Sequence, residues 1–247
     1  MTLALLTPLL MIFARWPLLM AGYVLFALLF QGQGLDRVWQ RAATHNYVIV
    51  SLFADVGCLL LLGWLMRREG GRLSDLLDLK RGVVKRDVVI GVGLFFVMAL
   101  AFYLAPMVSA FVVTGRLDSS AAWGTNPFAV PLWVHVWNMT IFPVTTSITE
   151  ELVYRGYALP RIERLMGRVW LAVLIPASAF ALAHLTPPFI GADAVLIRFL
   201  TLFFVGVVLA LLYLRYRRLL PLIVGHYLVA LIFLGILPFV LSYTDLP

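Results

Sequence analysis

Thr149-Glu150-Glu151-Leu152-Val153-Tyr154-Arg155-Gly156 sets two adjacent carboxylates and a guanidinium directly after a long apolar run. On a helix, Glu151 and Arg155 are four residues apart and share a face, whereas Glu150 points about 100° away from them. An ion pair that pins the helix, beside a carboxylate left free, is a layout for catalysis. It is equally the layout of a helix end at a membrane surface. His184 and His226 are the groups that would decide between these. A glutamate with two histidines can deprotonate a water and pass the proton to a leaving amine. The same three side chains are ordinary ligands for a divalent metal such as zinc. The chain contains no H-E-x-x-H, which excludes a conventional zincin, and no G-x-S-x-G nucleophile pattern. The single cysteine, Cys58, rules out an intrachain disulfide and reads as an inert buried thiol.

These residues sit in a chain of 247 residues that is 63% hydrophobic and 13% charged, with mean hydropathy +0.99. Soluble domains are about half apolar and about a quarter charged, so composition predicts an integral membrane protein. The apolar stretches are long and continuous rather than alternating, which predicts helices and not a barrel. The fold class is therefore an all-α, polytopic transmembrane bundle of seven to eight helices, one membrane domain over residues 1–247, multi-pass and immersed in the lipid bilayer. Spans are expected near 17–31, 46–66, 87–113, 129–159, 169–186, 194–214 and 219–242, with Pro8 and Pro17 breaking the first apolar segment. The N-terminus has no basic n-region, so that segment reads as retained. Loops are expected at 32–45 and from about 114 to Pro127, and Pro187-Pro188 ends the fifth span.

The net charge of +7 reads as topology rather than as a nucleic-acid footprint, so no nucleic-acid partner is expected. One side collects residues 67–86, 155–168 and 215–218 together with Arg15, which is 15 of the 19 basic residues. Arg37, Arg41, Arg116 and Arg198 fall on the other. This puts the N-terminus inside.

Charged groups at membrane depth need a partner or a task. Asp55 reads as a structural hydrogen-bonding group between helices, and His135 with Asn138 as interfacial. Glu150 lies 17 residues before Gly167 and His184 lies 17 after it, which gives matching depths of about 25 Å in an antiparallel hairpin. His226 is only eight residues past Arg218, about 12 Å in. Spacing alone leaves two readings open, a shared Glu/His/His site or scattered polar groups that pack helices. A proton relay through Asp55, Glu150 and the histidines is a third.

The ordered set Glu150-Glu151-x-x-x-Arg155-Gly156, Phe180-x-x-x-His184 and His226 resembles the CPBP group, the CAAX proteases and bacteriocin-processing enzymes also called Abi or type II CAAX prenyl endopeptidases. The resemblance covers about 129–240 as a catalytic core, with 1–128 matching only as generic N-terminal membrane helices. It implies a helical bundle around a cavity and intramembrane hydrolysis of a hydrophobic or lipidated, CAAX-like peptide. The partner is then a membrane peptide or protein, prenylated substrates included, and the bacterial inner membrane is the expected location. Carried over by position, Glu150 activates water with His184 and His226 assisting, and Glu151 and Arg155 orient the site. Phe180 packs one turn from His184. The resemblance leaves the cofactor open between none and a divalent metal such as zinc on Glu150, His184 and His226. The chain departs from the pattern at Ala230, where the family usually has Asn or Asp, and at Tyr154, usually Phe. Losing an oxyanion donor costs roughly 3–4 kcal/mol of barrier. Tyr227 and Asn138 are candidate substitutes. The alternative reading is a non-catalytic member with an immunity or scaffold role.

Overall fold

The computed structural model describes residues 2–29, 47–79, 82–118, 132–186 and 191–244. The 32–45 loop with Arg37 and Arg41, Lys80 and Arg81, and the Pro187-Pro188 stop lie outside them, as does most of the 114–127 loop. The described residues form helices and no strand. In chain order these are α1 (Thr2–Leu29), α2 (Tyr47–Arg68), the short α3 (Leu73–Leu77), α4 (Val84–Thr114), α5 (Leu132–Thr140) and α6 (Phe142–Glu150). A π-helical segment, Glu151–Ala158, follows, then α7 (Leu159–Met166), α8 (Val169–Ala183), α9 (Ala192–Tyr216) and α10 (Leu219–Val229). A second π segment, Ala230–Ile236, and α11 (Leu237–Thr244) complete it.

Among the described residues five helices are long and apolar enough to cross a membrane: Leu6–Leu25, Val50–Arg68, Val84–Thr114, Ala192–Tyr216 and Leu219–Ser242. The chain is an integral membrane helical bundle. The fourth expected span is the segmented run from Leu132 to Ala158, with α7 in the basic turn after it, and the fifth is the shorter apolar helix Val169–Ala183. Pro143, at the start of α6, explains one break, because it has no N–H to continue the ladder from α5.

The first span differs from expectation. α1 runs unbroken through Pro8 and Pro17. In lipid a proline is tolerated inside a helix when neighbouring groups satisfy the freed carbonyl. Continuity moves Arg15 from a surface break into the middle of a membrane helix, on its buried face, 2% exposed.

α1 packs against α2, α4 against both α9 and α10, and α8 against α9. The run from α6 to α7 threads between these layers and touches α1, α2, α8 and α10. Every residue of the Glu151–Ala158 segment is buried, including Glu151, Tyr154, Arg155 and Tyr157. A buried polar stretch of this kind must find its partners inside the protein.

Three ion-pair sets tie the basic turns together at one end of the bundle. Arg161 pairs with Glu69. Arg217 donates to both oxygens of Glu163, at 2.6 and 2.8 Å. Arg218 reaches Asp87 at 2.6 Å and Asp78 at 2.9 Å. The Glu163–Arg217 pair also reduces the depth mismatch. Counted from that pair, Glu150 lies 13 residues away and His226 nine, about 20 and 14 Å at 1.5 Å per residue. The intervening π turns, with more residues per turn, narrow the rest.

Candidate active site

Glu150 closes α6 and Glu151 opens the π segment. There the backbone widens: the Leu159 N–H donates to Tyr154 O, five residues back. Such single-turn π insertions re-aim side chains within an otherwise α-helical element. Glu150 is 1% exposed and Glu151 fully buried.

The two histidines converge on Glu150. His184, at the C-terminus of α8, has Nδ1 2.8 Å from the carbonyl of Phe180. A carbonyl only accepts, so Nδ1 carries the proton and Nε2 is left with a lone pair. That Nε2 stands 3.7 Å from Oε1 of Glu150. On α10, His226 Nδ1 is 2.9 Å from Oε1 of Glu151. Donating there to the carboxylate, it turns Nε2 toward Oε2 of Glu150, 3.8 Å away. Each oxygen of one glutamate thus faces one imidazole Nε2, and each Nδ1 is anchored. The side chains of His184 and His226 keep 20% and 14% exposure against 1% for that of Glu150, so the site opens on the histidine side.

The supporting residues lie round this core. Arg155 donates to Oε1 of Glu151 at 3.3 Å and to the carbonyl of Gly206 at 3.2 Å. Its guanidinium stacks on Phe180, 4.9 Å from the ring centre. Phe180 also packs against His184, with ring centres 4.7 Å apart, and takes the edge of Tyr154. The Glu151–Arg155 pair is therefore interior and shared with His226, rather than a pin at a helix end.

Tyr227 follows His226 on α10, is half-buried, and has no hydrogen bond to the cluster among the described residues. Ala230 is buried, at the start of the second π segment, and offers only a methyl group. His135, expected at an interface, is buried beside Ser242 and Phe239.

Two further residues belong to the cluster: Arg15, which the sequence reading assigned to topology, and Asp55, which it read as a hydrogen-bonding group between helices. Arg15 contacts Asp55 through Nη1, and its Nη2 lies 3.1 Å from Oε1 of Glu150. Asp55 in turn accepts from Thr146 at 3.3 Å. The signal was present in their rarity. Arg15 is the one charged residue in the first 31, and Asp55 the one charged residue within the apolar run 46–66. Opposite charges isolated in separate membrane helices find each other.

The Glu150, His184 and His226 set does not fit a resident divalent metal. Among the described residues no group of three or more His, Cys, Asp or Glu is arranged to hold one. The Arg15 guanidinium also stands against the glutamate oxygen that His184 faces, where a dication would be repelled.

Residues 131–232 match the family model described as type II CAAX prenyl endopeptidase Rce1-like. The matched stretch contains Glu150, Glu151, Arg155, Phe180, His184, His226 and Ala230, while Arg15 and Asp55 lie outside it. No curated protein and no solved structure matches the chain.

Proposed function

From a chain whose residues 131–232 belong to the CPBP/CAAX protease family, we propose a glutamate-dependent endopeptidase that cuts a hydrophobic or lipidated peptide within the membrane. The observation that carries this is the convergence of two Nε2 lone pairs on the oxygens of one buried glutamate, at 3.7 and 3.8 Å. Two acceptors that far apart leave room for a water about 2.8 Å from each. Oε1 of Glu150 has no hydrogen-bond partner among the described residues, so its lone pairs are available to that water.

In the forward reaction Glu150 takes a proton from the water as its oxygen bonds to the scissile carbonyl carbon. The tetrahedral intermediate then collapses, the C–N bond breaks, and the proton passes to the leaving amine from Glu150 or by way of His184 Nε2. His226, held by Glu151, fixes the other side of the carboxylate. No step needs a metal. The approach is from the histidine side, where the site is open, and the bacterial inner membrane is the setting we propose.

The test is cleavage of membrane peptides, one of them prenylated, by purified protein in liposomes. Glu150→Gln and His184→Ala should each abolish turnover, and a chelator should leave the parent rate unchanged. Cleavage surviving both substitutions would sink the mechanism. A second reading, a non-catalytic member that binds a membrane partner, is favoured by one feature: Ala230 supplies no donor for an oxyanion. Full biological function after Glu150→Gln would select it.

A further inference from the structure

We propose that Arg15 is a positioning residue for Glu150, so that the N-terminal helix completes a site whose carboxylates and histidines lie in residues 131–232. The inference rests on Glu150 being the base. Its evidence is a closed brace of four buried side chains from three helices. The Arg15 guanidinium spans Asp55 on α2 and Glu150 on α6, the latter at 3.1 Å. The second oxygen of Asp55 accepts from Thr146, 3.3 Å away. Thr146 lies one turn before Glu150 on the same helix. Exposure is 2% for Arg15, 0% for Asp55, 5% for Thr146 and 1% for Glu150.

A tie between α1 and α2 would need only Arg15 and Asp55, which already balance in charge. The guanidinium instead reaches past Asp55 to the glutamate, and among the described residues it is the arginine in contact with that carboxylate. The contact with Oε1 is a charge pair and not an aligned hydrogen bond, so the oxygen is held without losing its capacity to accept from water. α1 engages the site a second time through Trp16, whose Nε1–H donates to the carbonyl of Leu185, the residue after His184, at 3.1 Å. Both ends of the Glu150–His184 pair are therefore indexed to consecutive residues of α1.

The experiment uses the full chain in liposomes and reads kcat, KM and thermal unfolding for Arg15→Gln, Arg15→Lys and the double variant Arg15→Gln/Asp55→Asn. Arg15→Gln should lower kcat by about 100-fold, the scale of an ångström-level misplacement, with KM within about threefold of the parent because the arginine acts through the base and not on bound peptide. Arg15→Lys keeps the charge and the fold but offers one point contact instead of a fork, and should recover about tenfold of the loss. The double variant removes the orphaned aspartate, so its unfolding temperature should return toward the parent's while kcat stays low. Parent-level kcat in the double variant would show that Arg15 only ties helices, and would overturn the inference. Should both glutamine variants fail to fold, Arg15→Lys decides: parent kcat and KM there refute positioning. A parent that cuts nothing, or a Glu150→Gln variant that still cuts, is a different outcome and brings down the reading of Glu150 itself.

Discussion

The α4–α10 contact sets where His226 stands, and Gly91 makes a sharp test of that dependence. A Cβ at Gly91 would lie 2.6 Å from Val224 Cβ, 2.8 Å from Val224 Cγ1 and 2.8 Å from the carbonyl oxygen of Pro221. Two of those atoms belong to a β-branched side chain and one to backbone, so neither can swing aside. Ordinary contact begins at 3.4 Å, so α10 must retreat by 3.4 − 2.6 = 0.8 Å. His226 is two residues beyond Val224 on the same helix and moves with it. Taken along the bond, that shift would lengthen the 2.9 Å His226–Glu151 hydrogen bond to 3.7 Å, past the limit of a useful one. Gly91→Ala should therefore cost about 1–3 kcal/mol of stability through overpacking. It should also cut peptide turnover by up to about 100-fold through misplacement of the imidazole. Gly93→Ala is the control, since nothing lies within 4 Å of its Cβ, and it should be neutral in both assays. Thermal unfolding in detergent and initial cleavage rates in liposomes give the two readouts. Parent turnover in a folded Gly91→Ala protein would refute the claim that the α10 position sets the site.

Other outcomes follow from the same contacts. Arg155→Ala leaves Glu151 buried with His226 as its one remaining partner among the described residues and frees the Gly206 carbonyl; the loss should be about 3–5 kcal/mol, read as unfolding temperature or as failure to accumulate in membranes. At the basic end, the two hydrogen bonds from Arg217 hold the Glu163 carboxyl below the ordinary carboxylate range. The depressed value means that this contribution is present above the unfolded-state pKa and is lost as pH falls through the folded one. Because Arg217 is half exposed, screening limits the contribution to under about 1 kcal/mol. Glu163→Gln should thus lower stability slightly at neutral pH and flatten its fall below the ordinary carboxylate range, measured by unfolding across about pH 3–7, which brackets the free glutamate value of about 4.3. Ala230→Asn should raise kcat about tenfold or more if the missing donor limits the rate; an unchanged kcat would show that another group already serves the oxyanion.

What the sequence made legible and what it concealed have separate physical causes. Long apolar runs located the helices, because a bilayer permits few alternatives for the backbone. Glu150, Glu151, His184 and His226 stood out because each is costly at depth without a partner. Arg15 was misread for a specific reason. Proline is a helix breaker in water, so a break at Pro17 left the arginine outside the span and counted it toward topology. The continuous α1 instead carries it 2% exposed to Glu150. The mistaken boundary and the missed residue are therefore one error, and the N-terminal half looked generic because its contribution is one arginine–aspartate pair. The π segment had no signal of its own, since i→i+5 bonding leaves no periodic mark in eight residues. Yet it determines how adjacent glutamates divide the work. Glu150 meets Arg15 and both Nε2 atoms, while Glu151 meets Arg155 and Nδ1 of the same His226 that faces its neighbour. One imidazole thus bridges two consecutive carboxylates. A change at Glu151 must reach Glu150 through His226, which makes the pair a single unit whose double substitution should cost less than the sum of its parts.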